Sequence, residues 1–313
     1  MKSVIALSAL AGMVLLGPAH DSFRPGSFRF DSVRHSTTPE TGMVARADAH
    51  PAMEEGSGVH PVVRSRLHPA GQPVSEVQSR CRYEAQRDLT LSAGPGDAFR
   101  LEAGSGSLEV MGVAGLDEIR VVARACASEE GYLEDLRVSS RRDGAEIFVE
   151  THYPDVGRWS WTNGYARLDL RIQVPEGMVA DIRDSSGEMR IEHLGSLRIQ
   201  DGSGGMEVFS IQGDVLIDDN SGEILLRDVT GDVEIDDGSG EMHLEGIGGT
   251  VTLRDGSGEI DVLDVEGTVR VIRDGSGSIN VDGVGGDFIV ERDGSGGIEF
   301  RDVQGRVEIP QKR

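Results

Sequence analysis

Seven aspartates stand two residues before a Ser-Gly pair: Asp184, Asp201, Asp219, Asp237, Asp255, Asp274 and Asp293. The Ser-Gly pairs follow one another at intervals of 17, 18, 18, 18, 19 and 19 residues. Carboxylates at a fixed interval could do three things. They could hold Ca²⁺, which takes oxygen ligands. They could serve as acids and bases in a glycan-cleaving groove. They could accept backbone N–H groups and so hold a tight turn. The pattern favours the turn. The calcium-binding solenoid signature is a nonapeptide ordered Gly-Gly-x-Gly-x-Asp, whereas this repeat is twice as long and ordered differently. A cleaving groove needs walls of long loops, and Asp-Gly-Ser-Gly makes only a four-residue corner. The corner carboxylates would repel one another at one per coil. Arg183, Arg254, Arg273 and Arg292 each precede a corner Asp and are placed to compensate it.

Two further groups could act. Tyr153, Trp159, Trp161 and Tyr165 lie in or beside one inserted loop, and exposed aromatics anchor sugars or protein partners. The competing reading packs them as a lid on the hairpin or on the first coil. His193 and His243 each neighbour an inward residue, so both are expected to point outward alone. There is no nucleophile elbow, phosphate loop or His-Cys metal spacing. The sequence therefore implies no enzyme, no cofactor and no metal site. Cys81 and Cys126 are the two cysteines, and an exported chain with two commonly pairs them.

The elements that would position these groups follow from the repeat. After the Asp255 turn come Ile260, Val262, Val265, Val269 and Val271; after Asp237 come Met242, Leu244, Ile247, Val251 and Leu253. Spacing of two within each pair is strand periodicity. The lone apolar residue between pairs reads as a third, very short face. Five buried side chains per coil supply on the order of 10 kcal/mol gross. Ordering one coil costs more, at roughly 1–2 kcal/mol per residue. Stacked coils offset the deficit by sharing a core and a hydrogen-bond ladder. The expected fold is all-β: a single-stranded β-solenoid of about 18-residue coils, rising about 4.8 Å each, with an N-terminal β-hairpin insertion. Leu108, Val110, Val113, Ile119 and Val121 extend the coil pattern back to about residue 98. The hairpin is expected over 134–151, turning at Arg142-Asp143-Gly144, and a strand over 166–174.

The ends differ from this body. Residues 1–19 read as a signal peptide: Lys2, an apolar run from Val4 to Leu16, then Gly17-Pro18-Ala19. Residues 20–80 are rich in Pro, Ser, His and Arg without apolar periodicity, as in a disordered linker. Five of the eight His fall there, too irregularly spaced for a metal site. The solenoid domain then spans 81–313, with its tandem coils over 184–313. The 313-residue chain carries 54 acids against 31 bases, a formal charge of -23. That acidity argues against nucleic acid as a partner. No transmembrane segment is expected in the mature chain.

Val174-Pro175-Glu176-Gly177, an extended run into Asp184-Ser185-Ser186-Gly187-Glu188, and tandem Gly-Asp-Val and Ser-Gly-Glu-Ile coils resemble the bacterial domain-of-unknown-function 4097 family, which carries an adhesin label. The resemblance covers about residues 98–310. It implies a β-solenoid in exported or envelope-associated proteins, some linked to envelope stress, and brings no catalytic residues. The functional expectation is an exported surface or periplasmic module with an adhesin-like binding or scaffold role. The alternative is an envelope-stress sensor whose acidic face, 29 acids against 11 bases over 184–313, captures cationic ligands. Expected partners are an envelope glycan, a protein or a cationic peptide.

Overall fold

The structure is a computed structural model that describes residues 81–154 and 164–310. The expected signal peptide over 1–19, the expected linker over 20–80, Trp159, Trp161 and residues 311–313 lie outside the described residues. Val, Ile, Leu and Met alternate with polar residues through nearly every strand, so each strand has one face that must leave water. Among the described residues two eleven-stranded sheets, the first containing Leu108–Val113 and the second Ala98–Glu102, satisfy this by burying those faces against each other.

The N-terminal part is laid down out of spatial order. Its elements are β1 Tyr83–Ser92, β2 Ala98–Glu102, β3 Leu108–Val113, β4 Glu118–Ala127, α1 Glu130–Asp135, β5 Arg137–Asp143, β6 Glu146–His152 and β7 Ala166–Pro175. β2 and β3 form the first coil, one strand in each sheet. β6 then adds parallel to β2, and β7 adds parallel to β3. So one strand of the hairpin belongs to the solenoid itself. Ile119 and Val121 do not continue the coil. They lie in β4, which runs antiparallel to both β1 and β7. Alternation is the same in parallel and antiparallel strands, which is why the sequence pattern placed them wrongly. β5, antiparallel to β6, closes the other sheet.

Regular coils begin with β8 Val179–Arg183 and β9 Met189–Glu192 and end with strands Ile298–Val303 and Val307–Glu308. All pair parallel and in register, as in Val215↔Val233, Ile217↔Ile235 and Asp219↔Asp237. A register shift between Leu253 and Arg254 absorbs the extra residue where the interval lengthens to 19. The third apolar position is not a separate face. Ile211, Val229, Ile247 and Val265 pair within the same sheet as the residues before them. Each follows a left-handed residue, such as Asp228 (φ 58) or Gly246 (φ 72). That residue swings the next side chain inward after three positions instead of two. At the corners the backbones nearly touch. A Cβ on Gly258 (φ +154) would lie 1.5 Å from the Gly240 carbonyl oxygen, so only glycine fits.

Cys81 and Cys126 are joined by a disulfide, with Cα atoms 5.4 Å apart, tying the start of the described chain to β4. The unfolded, unreduced protein should show no free thiol, whereas two would contradict the bond. Opening this 45-residue separation by reduction should cost about 4 kcal/mol.

Candidate functional site

In each regular second-sheet strand from 197 to 255, inward positions alternate to the end, and the last inward residue is the corner Asp: Leu197, Ile199, Asp201; Val215, Ile217, Asp219; Val233, Ile235, Asp237; Val251, Leu253, Asp255. The carboxylates therefore point into the fold. Six of the seven, from Asp184 to Asp274, are buried, Asp255 to 1 % exposure. One oxygen holds the turn. Asp219, Asp237 and Asp255 accept the backbone N–H of Ser221, Ser239 and Ser257 at 3.2, 3.1 and 3.0 Å. Asp201 accepts that of Gly202 at 2.8 Å. Among the described residues no donor reaches the other oxygen of Asp184, Asp201, Asp219 or Asp237.

A carboxylate removed from water without a cation beside it holds its proton. Burial, with the charge of Asp201 behind it, pushes Asp184 up to about 7. Burial and the charges of Asp201 and Asp237 push Asp219 to about 6. Asp255 rises to about 7 through burial, a hydrogen bond with Asp274, and the charge of Asp237. Asp201, Asp237 and Asp274 are also raised, chiefly by burial. Asp184, Asp219 and Asp255 thus titrate at about 6 to 7, and Asp201, Asp237 and Asp274 above the usual carboxylate range.

The preceding arginines do not compensate it. Neighbours along a strand point to opposite faces, so Arg254, beside inward Asp255, points outward and bonds Glu234 Oε1 at 2.6 Å. Arg183 lies 3.7 Å from Glu102. Arg273 and Arg292 are exposed while Asp274 is buried. Nor do the corner aspartates add to an outer acidic face, because their carboxylates lie inside. His193 is exposed at a left-handed position. His243 is not alone: its Nε2 lies 3.9 Å from Glu245. With Asp261, Asn280, Asp282, Glu299 and Arg301 it lines an open depression over the outer face of the first sheet.

Tyr153 sits at the corner of the coil formed by β6 and β7. Its hydroxyl donates to the Ser105 carbonyl at 3.1 Å, and its ring occupies the space a Cβ on Gly104 would need. Burial raises its pKa. Tyr165 is 41 % exposed, and its hydroxyl accepts the Arg82 backbone N–H at 3.2 Å. The signal for Tyr153 as a packing residue was the glycine at 104, one coil away in space and 49 positions away in sequence. Among the described residues no group of three or more His, Cys, Asp or Glu is arranged to hold a metal ion. None of their helices is long and apolar enough to cross a membrane.

No protein-family model matches the chain, and no curated protein matches it. Seven chains of solved structures are similar to it, three of them as follows. A "putative cell adhesion protein" from Clostridium sporogenes is 14% identical, covering 73% of this chain and 100% of its own, with a TM-score of 0.25. A "putative adhesin" from Bacteroides fragilis is 12% identical over 72% and 97% of the two chains, with a TM-score of 0.37. A "putative lipid binding protein" from Parabacteroides distasonis is 13% identical over 72% and 96%, again with a TM-score of 0.37. Nothing about this chain's function follows from similarity at that level.

Proposed function

We propose that this chain is an exported, non-catalytic β-solenoid that serves as an adhesin-like binding or scaffold module at the cell envelope. The domain-of-unknown-function 4097 repeat pattern and the signal-peptide pattern of residues 1–19 support this reading. The observation that carries it is geometric. From Val179 to Val307 the coils stack without a long loop at any corner, leaving flat outer faces of repeated side chains. Such faces suit an extended ligand or partner, which a row of equivalent rungs can meet at several points. The experiment is co-sedimentation with purified envelope glycan at low and high salt. Binding that persists at high salt and is lost in a Trp159→Ala, Trp161→Ala variant supports a glycan-binding module. Absence of binding to glycan and to envelope protein extracts alike would refute the proposal.

A second reading rests on charge. Residues 201–236 carry ten acids and one base, and eight of those acids lie outside the corner column. This stretch is the part of the surface best suited to attract a cationic peptide. Capture of a polycationic peptide that disappears at high salt would favour the stress-sensor alternative over the adhesin-like one.

A further inference from the structure

The last coil differs from the six before it. Each of the six, from Asp184 to Arg292, has more acids than bases, whereas the segment from Asp293 to Arg313 has four of each. Its apolar rung is also uncovered. Phe300 is 42 % exposed and Ile309 45 %, while Val281, one coil back, is 3 %. Among the described residues, strands Ile298–Val303 and Val307–Glu308 are the outermost members of their sheets at this end, each pairing on one side only.

We propose that these two edges form a tail-to-tail dimer interface with a second copy of this chain. Both edges are self-complementary. In the first sheet Glu299 and Arg301 flank Phe300; in the second, Arg306 and Glu308 flank Val307. Antiparallel pairing centred on Phe300 sets Glu299 opposite Arg301 of the partner subunit, and Arg301 opposite Glu299 of the partner subunit. Shifting the centre by one residue sets like charges opposite each other, which disfavours it. Pairing centred on Val307 joins Arg306 and Glu308 with their opposites in the same way. The two centres lie across the core from one another. Val307 stacks on Phe288, whose ring centroid is 5.9 Å from that of Phe300. One twofold axis through both sheets therefore serves both edges, as an isologous dimer requires. Near-neutral charge lets this end meet its own copy where the rest of the body would repel. Pro310 donates no hydrogen bond, which confines the pairing to these short edges.

Sedimentation of the full chain from micromolar to submillimolar concentration tests this, with circular dichroism confirming the fold of each variant. A monomer–dimer equilibrium is expected. Glu299→Arg, which sets arginines opposite each other at both symmetric contacts, should raise the dissociation constant about tenfold or more. Adding Arg301→Glu to it should return the constant to within about threefold of the original. A monomer at every concentration, growth past the dimer into filaments, or a double variant that fails to recover would each overturn the proposal.

Discussion

Val251→Asp is expected to cost about 4 kcal/mol or more and to abolish the cooperative unfolding transition, whereas Glu259→Gln should shift stability by no more than about 0.5 kcal/mol. Val251 is 0 % exposed and sits in a parallel ladder between Val233 and Val269. A carboxylate there has no water and no donor, and every coil above and below depends on the same rung. Glu259 is exposed at a corner, where it accepts the Asn280 amide at 2.8 Å, and a glutamine oxygen can accept the same bond. Urea unfolding followed by circular dichroism separates the two. Equal losses would mean that the inward and outward positions of the coil are misassigned.

Stability should fall as pH rises from 5 to 8, the reverse of what salt-bridged carboxylates produce. An unfolded aspartate gives up its proton near 4, while Asp184 and Asp255 hold theirs to about 7 and Asp219 to about 6. Across that interval unfolding releases protons, so a higher pH favours the unfolded chain. The stabilisation is complete below the unfolded value and is lost as pH passes through the folded one. Allowing for solvent screening, the loss between pH 5 and 8 should be about 4 kcal/mol, or roughly 10 °C in Tm. Below about pH 4 the trend should reverse. Glu84, held down by Arg124, and Asp97, held down by Arg142, then lose their ion pairs. Asp255→Asn keeps the oxygen that accepts from Ser257 but carries no charge. It should raise stability at pH 8 by about 2 kcal/mol and flatten the pH profile. Stability that climbs from pH 5 to 8 would contradict the buried column.

The regular coils were legible because their spacing encodes both period and direction: Val215, Ile217 and Asp219 alternate inward as a strand demands. Continuing that alternation one step further would have placed the aspartate inside as well. What could not be read was pairing at a distance. Arg254 adjoins Asp255 in the chain, yet its partner Glu234 lies one coil and 20 residues away. Ile119 and Val121 carry the pattern of a coil strand, but the direction of β4 is set by β1 and β7. Val229 looked like a third face because the left-handed Asp228 inserts one extra step. Of the aromatic candidates, Tyr153 is taken up by packing against the Gly104 corner, an adjacency created only when β6 lies beside β2.

Burial inside the solenoid makes the corner carboxyls hold their protons above the usual range, and a carbon-13 titration of the aspartate carboxyls measures this most directly. Asp→Asn variants at 184, 219 and 255 assign the signals. Midpoints near 7, 6 and 7 are predicted for Asp184, Asp219 and Asp255, all moving down when the chain is unfolded in urea. Midpoints for all three near 4 in the folded protein would contradict the buried column and place these side chains in water.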